Sequence, residues 1–167
     1  LTVSNPGAEE LRFGIGYHPA FAIPFDDRHT FADYEIRFSE PESPLCVNCR
    51  PYGLLHGNLY YLGSNIREIP IDEKLFANDS HCMVNLRSQT IGIYEKDTGR
   101  AVVCDIADFP YTLIWSKPGQ PKFVCIETWH SLPSAENGST QWEKKPAAAI
   151  LAPGEEWSCT LSTEFVR

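Results

Sequence analysis

The sequence predicts an all-β fold, and three observations carry that prediction. Proline and glycine are frequent, with 13 and 11 residues among 167, and they separate short runs of β-branched and aromatic residues. Turn signals return about every eight to twelve residues, as in a sandwich or barrel of short strands. Hydrophobic residues make up 43% of the chain, enough for the core of one domain. We therefore expect a β-sandwich or an open barrel.

The first third of the chain contains strands and a proline-rich interruption. Residues 2–5 predict a strand, and residues 6–9 (PGAE) predict the turn of a hairpin that leads into a second strand at 11–17. Residues 24–30 are polar and predict a loop, whereas 34–38 alternate as a half-buried strand does. Prolines interrupt residues 39–51, so we expect a loop or an irregular edge there.

Later segments have clearer strand patterns. We expect strands at 82–86 and 90–94 around a tight turn, and at 100–106 after a turn closed by Gly99. Residues 111–116 and 122–129 predict a hairpin joined by the turn 117–121. Residues 123–129 are apolar on both faces, which predicts burial on both sides. The last strands are expected at 147–151 and 156–166, with Cys159, Leu161 and Phe165 sharing one face of the latter.

The charge balance excludes several classes of partner. With 14 basic and 22 acidic residues the chain has a net charge of −8 and no basic stripe, so we expect no nucleic acid and no membrane as a partner. No apolar run is long enough to cross a bilayer. The chain begins LTVSN, without an initiator methionine and as if inside a strand. We therefore expect a fragment of a longer protein, in which a missing signal peptide has no meaning.

Six cysteines are expected to be free thiols in a reducing cytoplasm. Three of them, Cys104, Cys125 and Cys159, lie in apolar strand runs, where cysteine acts as a small hydrophobic residue. Cys46 and Cys49 form a single C-x-x-C pair, but a zinc site needs two further ligands at suitable spacing. Nothing in the sequence places His56 or His81 beside them. We therefore predict neither a metal nor another cofactor.

The stretch LRFGIGYHPAF at residues 11–21 contains the first candidate site residue. At strand periodicity Leu11, Phe13, Ile15 and Tyr17 share one face, while two glycines and His18 share the other. Glycines inside a strand often mark the close approach of a ligand or of another backbone. We interpret them here as clearing space in front of His18, against the alternative of a core or capping histidine.

Glu127 is the second candidate, because it ends a strand that is buried on both faces. Glutamate is seldom fully buried unless it is paired or functional, and burial would raise its pKa toward the range of a general base. The alternative is a carboxylate that reaches solvent at the strand end. Tyr17, Trp115 and Trp129 could stack on a sugar, although such residues are more often core. Asp79 by itself has the pattern of an ordinary turn aspartate.

Four segments in order resemble the aldose 1-epimerase (galactose mutarotase-like) family, especially its LacX-like branch. They are GIGYHPAF, LFANDS, YTLIWSKPG and FVCIETWHSLPSA, and together they span nearly all of the chain. The resemblance covers only the C-terminal portion of a typical member, which is close to twice as long. Residues 1–167 are thus expected to be the C-terminal part of a single aldose 1-epimerase-like domain. Thr128 and His130-Ser131 stand where the branch usually has proline and glycine.

The resemblance implies a β-supersandwich, here truncated, and interconversion of the α and β anomers of a free aldose without a cofactor. It implies that His18 is the general acid and Glu127 the general base, with Asp79 bonded to sugar hydroxyls. The family also takes an arginine and a second histidine from its N-terminal half, and no residue of this chain can be assigned to them. The exposed edges of a partial sandwich would need covering, for example by a second copy of the chain.

Three alternatives remain open from the sequence. A hexose-6-phosphate 1-epimerase has the same core but needs arginines for the phosphate, and Arg12, Arg28, Arg37 and Arg50 form no obvious cluster. A sugar-binding module without turnover is a second alternative. A plain interaction domain, with His18 and Glu127 far apart, is the third.

Overall fold

Two antiparallel β-sheets form the body of the protein in the computed structural model, which describes residues 1–49, 53–77, 79–119 and 121–167. The strands in chain order are β1 (Thr2–Ser4), β2 (Leu11–Phe13), β3 (Gly16–Tyr17), β4 (Ala20–Ala22), β5 (Tyr34–Glu42), β6 (Leu45–Val47), β7 (Leu59–Tyr61), β8 (Ile66–Pro70), β9 (His81–Met83), β10 (Thr90–Glu95), β11 (Ala101–Asp105), β12 (Tyr111–Trp115), β13 (Phe123–Trp129), β14 (Ala149–Leu151), β15 (Glu156–Ser158) and β16 (Thr163–Val166). Two 3₁₀ turns, η1 (Phe31–Asp33) and η2 (Trp142–Lys144), complete the regular structure. The predicted all-β class is confirmed.

The two large sheets pack face to face. One has five strands in the order β16-β11-β10-β5-β8, and the other has the order β3-β13-β12-β9-β6-β7, with β4 also paired to β13. Isoleucines of β5 and β10 meet apolar residues of β12 and β13 in the core between them, which includes Ile36, Ile93, Ile114, Val124 and Ile126. The seven-stranded sheet therefore has a second face that points away from this core. That face carries Glu127.

Several sequence-based predictions are confirmed. The hairpin of β10 and β11 turns at Gly99, whose φ of 75° is the left-handed conformation that glycine favours. β12 and β13 pair as a hairpin, although residue 120 of the predicted turn lies outside the described residues. β13 is buried on both faces along its middle, as its double apolar pattern predicted.

The predicted N-terminal hairpin is wrong. β1 pairs with β15 and β2 pairs with β14, so the two N-terminal strands join C-terminal strands instead of each other. Asn5 stabilises this arrangement with two hydrogen bonds. Its side-chain amide donates to the backbone carbonyl of Leu151 at 3.0 Å, and its backbone carbonyl accepts a hydrogen bond from the Gly154 N–H. A turn signal indicates that the chain bends but does not identify the strand that it meets.

Three further predictions need correction. Residues 39–51 were expected to be a loop or an irregular edge, but β5 runs to Glu42, with its register against β8 shifted between Arg37 and Glu42, and β6 follows; residues 50 and 51 lie outside the described residues. The strand expected at 82–86 ends at Met83, and residues 87–89 are not a tight turn, because residues 84–89 connect β9 in one large sheet to β10 in the other. The last predicted strand is two strands, β15 and β16, and Phe165 is exposed instead of sharing the burial of Cys159.

Among the described residues no helix is long and apolar enough to span a membrane. The sheet edges carry exposed apolar side chains, including Leu59 and Tyr61 on β7 and Phe165 on β16. Among the described strands β7 pairs with β6 alone, so its other side is an edge within this part of the chain. The covering of such edges by a second copy of the chain stays a prediction.

Candidate functional site

Glu127 lies in a row of side chains that crosses the seven-stranded sheet. It pairs with Leu113 of β12, which pairs with Cys82 of β9, which in turn pairs with Val47 of β6. These neighbours are apolar or thiol side chains, and Glu127 itself is only 3% exposed. Side chains of β13 alternate between the two faces of the sheet. Ile126 therefore lies in the main core, and the Glu127 carboxylate lies on the opposite face among these apolar and thiol side chains.

The surroundings of Glu127 favour its protonated form. Burial is the larger cause and the nearby Asp79 carboxylate the smaller one, and together they raise the pKa of Glu127 to about 7. A carboxyl group with that pKa is partly ionised at neutral pH and can both accept and return a proton there. This is the protonation behaviour of a general acid–base group.

His18 approaches Glu127 from the connection between β3 and β4. Both strands pair with β13, Tyr17 with Thr128 and Ala20 with Cys125, so the chain passes Glu127 between these two points. Nε2 of His18 lies 3.3 Å from Oε1 of Glu127. The histidine side chain is 60% exposed whereas the glutamate is buried. The pair therefore joins a buried carboxylate to an imidazole that an incoming ligand can reach.

The two glycines before His18 do not have the role that the sequence suggested. A Cβ at Gly16 would lie 2.6 Å from the carbonyl oxygen of Thr128, and one at Gly14 would collide with the Ser131 hydroxyl. The glycines admit the backbone of the strand that carries Glu127 and the loop after it. By allowing this close approach, the two glycines bring His18 near Glu127. The interpretation that they clear space in front of His18 is therefore wrong, because the space beside each glycine is filled by residues 128–131.

A cleft of about 240 Å³ opens over the pair, and we call it the Glu127 cleft. Asp79, Trp115 and Trp129 line it together with His18 and Glu127. The ring of Trp115 meets that of His18 edge-on, with 6.5 Å between the ring centroids. The structure thus brings together five of the six candidate site residues. An acid–base pair, a second carboxylate and two indoles are the groups with which a protein binds a polyhydroxylated ring.

Asp79 is held in an uncommon backbone conformation. Its φ is 80°, a value in the left-handed region that residues other than glycine seldom adopt. Its backbone N–H donates to the carbonyl of Phe76 at 3.1 Å, and its Oδ1 accepts from Ser80 N–H at 2.9 Å. Strain of this kind is often found at ligand-binding positions, and here it directs an acidic residue to the Glu127 cleft.

Tyr17 is the candidate that does not line the Glu127 cleft. Its strand position pairs with Thr128, whose side chain lies on the opposite face of β13 from Glu127. The Tyr17 ring packs edge-on against Phe109 at 5.8 Å, and its hydroxyl lies 3.4 Å from the terminal amino group. Tyr17 does not contact the Glu127 cleft, and its role in stacking on a sugar stays a prediction.

Among the lining residues of the Glu127 cleft that were not candidates, Cys49 and Ser80 carry a thiol and a hydroxyl. The C-x-x-C pair and the polar turn N-D-S were visible signals, but neither indicated a position beside Glu127. The two histidines considered as partners of the cysteines bind elsewhere. His56 Nδ1 lies 3.0 Å from Glu136, and His81 contacts the Leu75 carbonyl and Tyr60.

One set of potential metal ligands coincides with the acid–base pair. Ligand atoms of His18, Cys125 and Glu127 lie within 4.8 Å of one another. Burial raises the pKa of the Cys125 thiol to about 11, with a smaller effect of Glu127, so the thiol is protonated at neutral pH. The prediction that the protein uses no metal stays a prediction.

Comparison with known sequences finds two similar proteins. The chain is 29% identical over 155 residues to protein LacX of Lactococcus lactis subsp. lactis, in both its plasmid and its chromosomal forms. The match covers 90% of this chain and 52% of LacX. No family model matches. The chain spans about half the length of the curated relatives it matches.

Solved structures show the same fold over nearly the whole chain. A galactose mutarotase related enzyme from Lactobacillus acidophilus superposes with a TM-score of 0.88 at 23% identity, over 99% of this chain and 56% of its own. A galactose mutarotase-like protein from Lactobacillus casei gives 0.85 at 24% identity, over 98% and 57%. The resemblance and the galactose mutarotase-like fold predicted from the sequence are thereby confirmed, with this chain corresponding to about half of the sandwich.

Proposed function

We propose that this chain carries the acid–base site of an aldose 1-epimerase, an isomerase that interconverts the α and β anomers of a free hexose. The observation that carries the proposal is the 3.3 Å contact between His18 Nε2 and Glu127 Oε1. Mutarotation exchanges protons at two oxygens, the C1 hydroxyl and the ring oxygen, and both are bonded to the same carbon. An acid and a base held side by side match that geometry.

Glu127 is the base of the proposed reaction and His18 is the acid. Ionised Glu127 accepts the proton of the C1 hydroxyl while His18 gives a proton to the ring oxygen, and the bond from C1 to that oxygen breaks. The product is the open-chain aldehyde. Rotation about the bond between C1 and C2 then presents the other face of the carbonyl to the hydroxyl at C5. On reclosure His18 takes the proton of that hydroxyl and Glu127 returns one to the C1 oxygen, so both groups are restored.

The other residues of the Glu127 cleft have binding roles in this proposal. Asp79 accepts hydrogen bonds from sugar hydroxyls, and its carboxylate also favours the protonated form of Glu127, which is needed on reclosure. Trp115 and Trp129 offer apolar faces for the carbon–hydrogen side of a pyranose ring. No step of this reaction needs a cofactor. A cytoplasmic location agrees with six free and buried cysteines and is part of the proposal.

The test is the rate of anomer interconversion for a panel of free aldoses, measured by polarimetry on the wild-type chain and three variants. Glu127→Gln and His18→Asn should each lower kcat by about a hundred-fold to ten-thousand-fold, with a much smaller effect on KM. Glu164→Gln, an exposed carboxylate on β16, is the matched control and should keep the wild-type rate.

Near-normal rates in both active-site variants would contradict the assignment. Saturable sugar binding without turnover by the wild-type chain would instead support the alternative of a non-catalytic sugar-binding module. Absence of both binding and turnover would leave the plain interaction domain as the remaining alternative.

A further inference from the structure

The two cysteines of the C-x-x-C pair lie in different apolar clusters. Cys46 belongs to the main core between the two large sheets, whereas Cys49 packs with Cys82 and Leu113 in a smaller cluster. Because Leu113 pairs with Glu127, this smaller cluster lies on the face of the sheet that carries the Glu127 cleft. The fold therefore gives Cys49 a cysteine neighbour other than the one in its own sequence motif.

The strand register sets Cys49 beside Cys82. Val47 of β6 pairs with Cys82 of β9, and Cys49 follows Val47 by two residues, which is the spacing of side chains on one face. The Cys49 thiol donates to the Val47 carbonyl at 3.7 Å, and the Cys82 thiol is hydrogen-bonded to the Cys49 sulfur. Two sulfur atoms in such contact need little movement to become covalently joined.

Of the two thiols, Cys49 is the one that a small molecule can reach. It lines the Glu127 cleft, although only 1% of the residue is exposed, whereas Cys82 is fully buried and does not line the cleft. A molecule about the size of water fits into a cleft of about 240 Å³ and can approach the Cys49 sulfur. This difference gives the pair two roles, with Cys49 as the thiol that meets an oxidant and Cys82 as the thiol that reacts with Cys49.

The hydrogen bond from Cys82 also makes Cys49 more acidic. It lowers the pKa of the Cys49 thiol more than burial and the Asp79 carboxylate raise it. All six cysteines are among the described residues, and the pKa of each of the other five is raised, with burial contributing to every rise. The thiolate is the form of cysteine that attacks an oxidant, so Cys49 is the thiol that we expect to react first.

We infer that Cys49 and Cys82 form a reversible disulfide when hydrogen peroxide enters the Glu127 cleft. The Cys49 thiolate attacks one peroxide oxygen, the bond between the oxygens breaks, and the products are a sulfenic acid and hydroxide, which takes up the proton that Cys49 released. The Cys82 sulfur then attacks the Cys49 sulfur, and the hydroxyl group leaves with the Cys82 proton as water. The two thiols together lose two electrons, and the peroxide gains them to become two molecules of water.

The inferred bond joins the segment after β6 to β9. β6 ends at Val47, so Cys49 lies outside the regular ladder and its backbone can adjust to the geometry of a disulfide. Because Cys49 lines the Glu127 cleft, the bond changes one wall of that cleft. The inference concerns the thiols alone, so it does not depend on the proposed function.

Peptide mass spectrometry on peroxide-treated protein tests this pair. The reduced, folded protein is exposed to hydrogen peroxide, the remaining free thiols are alkylated in denaturant, and the digest is analysed without a reductant. The proteins are the wild type, Cys49→Ala, Cys82→Ala and the control Cys104→Ala, whose buried thiol lies on β11 in the other large sheet. In the wild type we expect a peptide linked from Cys49 to Cys82, with a mass lower by two hydrogen atoms and with the link lost after treatment with dithiothreitol.

Each variant has its own expected result. Cys104→Ala should keep the link, Cys49→Ala should leave Cys82 reduced, and Cys82→Ala should stop at a Cys49 sulfenic acid that dimedone labels. A link between Cys46 and Cys49, or Cys49 and Cys82 thiols that both stay reduced in the folded wild type, would overturn the inference. These wild-type results decide it even where a variant fails to fold. Lack of anomer interconversion in a protein that forms the disulfide would contradict the epimerase and leave this inference standing.

Discussion

Two of the histidine–carboxylate contacts in the molecule, those of His18 and His29, differ in their surroundings. In the Glu127 cleft, His18 meets one buried glutamate and has most of its own surface exposed. Some distance along the chain, His29 lies between Asp26 and the buried Glu95, with Nδ1 at 2.7 Å from Asp26 and 3.4 Å from Glu95. We call this second group the His29 cluster.

Hydrogen-bond donors distinguish the two groups. In the His29 cluster Arg100 bonds both Asp26 and Glu95, and the hydroxyls of Tyr34 and Thr98 donate to Glu95. Burial alone would raise the pKa of Glu95, but the donors from Thr98, Tyr34 and Arg100 lower it below the usual range. Glu127 has burial without such donors, and its pKa rises to about 7.

The difference shows that a buried carboxylate beside a histidine is not by itself a catalytic signal. Ligand atoms of Asp26, His29 and Glu95 are close enough to hold a metal, but a guanidinium already bridges the two carboxylates. A satisfied cluster of this kind stabilises the fold. A buried carboxylate that faces a cleft, and to which no arginine or hydroxyl of the described residues donates, remains available to a ligand, as Glu127 does.

The largest expected effect is on stability in the His29 cluster. Glu95→Gln removes a buried charge that Arg100, Tyr34 and Thr98 all contact, and should lower the free energy of unfolding by about 3–5 kcal/mol. Urea unfolding at pH 7 measures it. A loss below about 1 kcal/mol would show that the cluster does not hold the fold together as described.

The same substitution in the Glu127 cleft should act in the opposite direction. The folded-state pKa of Glu127 is raised, so its contribution to stability is complete below the unfolded pKa and is lost as the pH rises through about 7. Glu127→Gln, which stays neutral, should therefore be more stable than the wild type by about 3 kcal/mol at pH 8 and nearly equal to it at pH 4. Urea unfolding at both pH values checks the sign, and a destabilised variant at pH 8 would contradict it.

The proposed turnover should depend on pH through Glu127. Because only the ionised carboxylate accepts the proton of the C1 hydroxyl, kcat/KM should rise with pH up to about 7. Below that value we expect about a tenfold loss per pH unit, since each unit lowers the ionised fraction about tenfold. Polarimetric rates between pH 5 and pH 8 give the profile. A kcat/KM that does not change with pH over this range would contradict the assignment of Glu127 as the base.

The smallest expected effect is the pH dependence of the His29 contribution. Its hydrogen bonds to Asp26 and then Asp97 raise the pKa of His29, so its stabilisation is present below the unfolded histidine pKa and is lost as the pH rises through the folded value. His29→Asn should therefore lower the unfolding temperature at pH 6 more than at pH 9. Thermal unfolding at the two pH values measures the difference, and an equal loss at both would mean that His29 acts through packing.

The sequence allowed prediction of the elements that depend on local pattern. The double apolar pattern of β13 placed Glu127 on a buried strand, and Gly99 marked a hairpin turn. Four short motifs also indicated the fold and the candidate pair. In each case the relevant signal lies within a few residues of the position that it describes.

The rest depends on contacts between distant segments. β2 pairs with β14 at the other end of the chain, and nothing in residues 6–9 distinguishes that pairing from a hairpin. The two glycines before His18 signalled a close approach, but only the structure identifies the approaching segment as 128–131.

The packing of glycines at the site also determines where its selectivity can be redesigned. Gly16 tolerates no side chain, because a Cβ there meets the Thr128 backbone at 2.6 Å. Gly53 borders the Glu127 cleft, and a Cβ there would contact no atom within 4 Å. Its φ of 70° restricts useful replacements to asparagine and aspartate, the side chains that adopt this conformation most readily. Substitutions at position 53 should therefore alter ligand selectivity in the cleft while the packing that aligns His18 with Glu127 is retained.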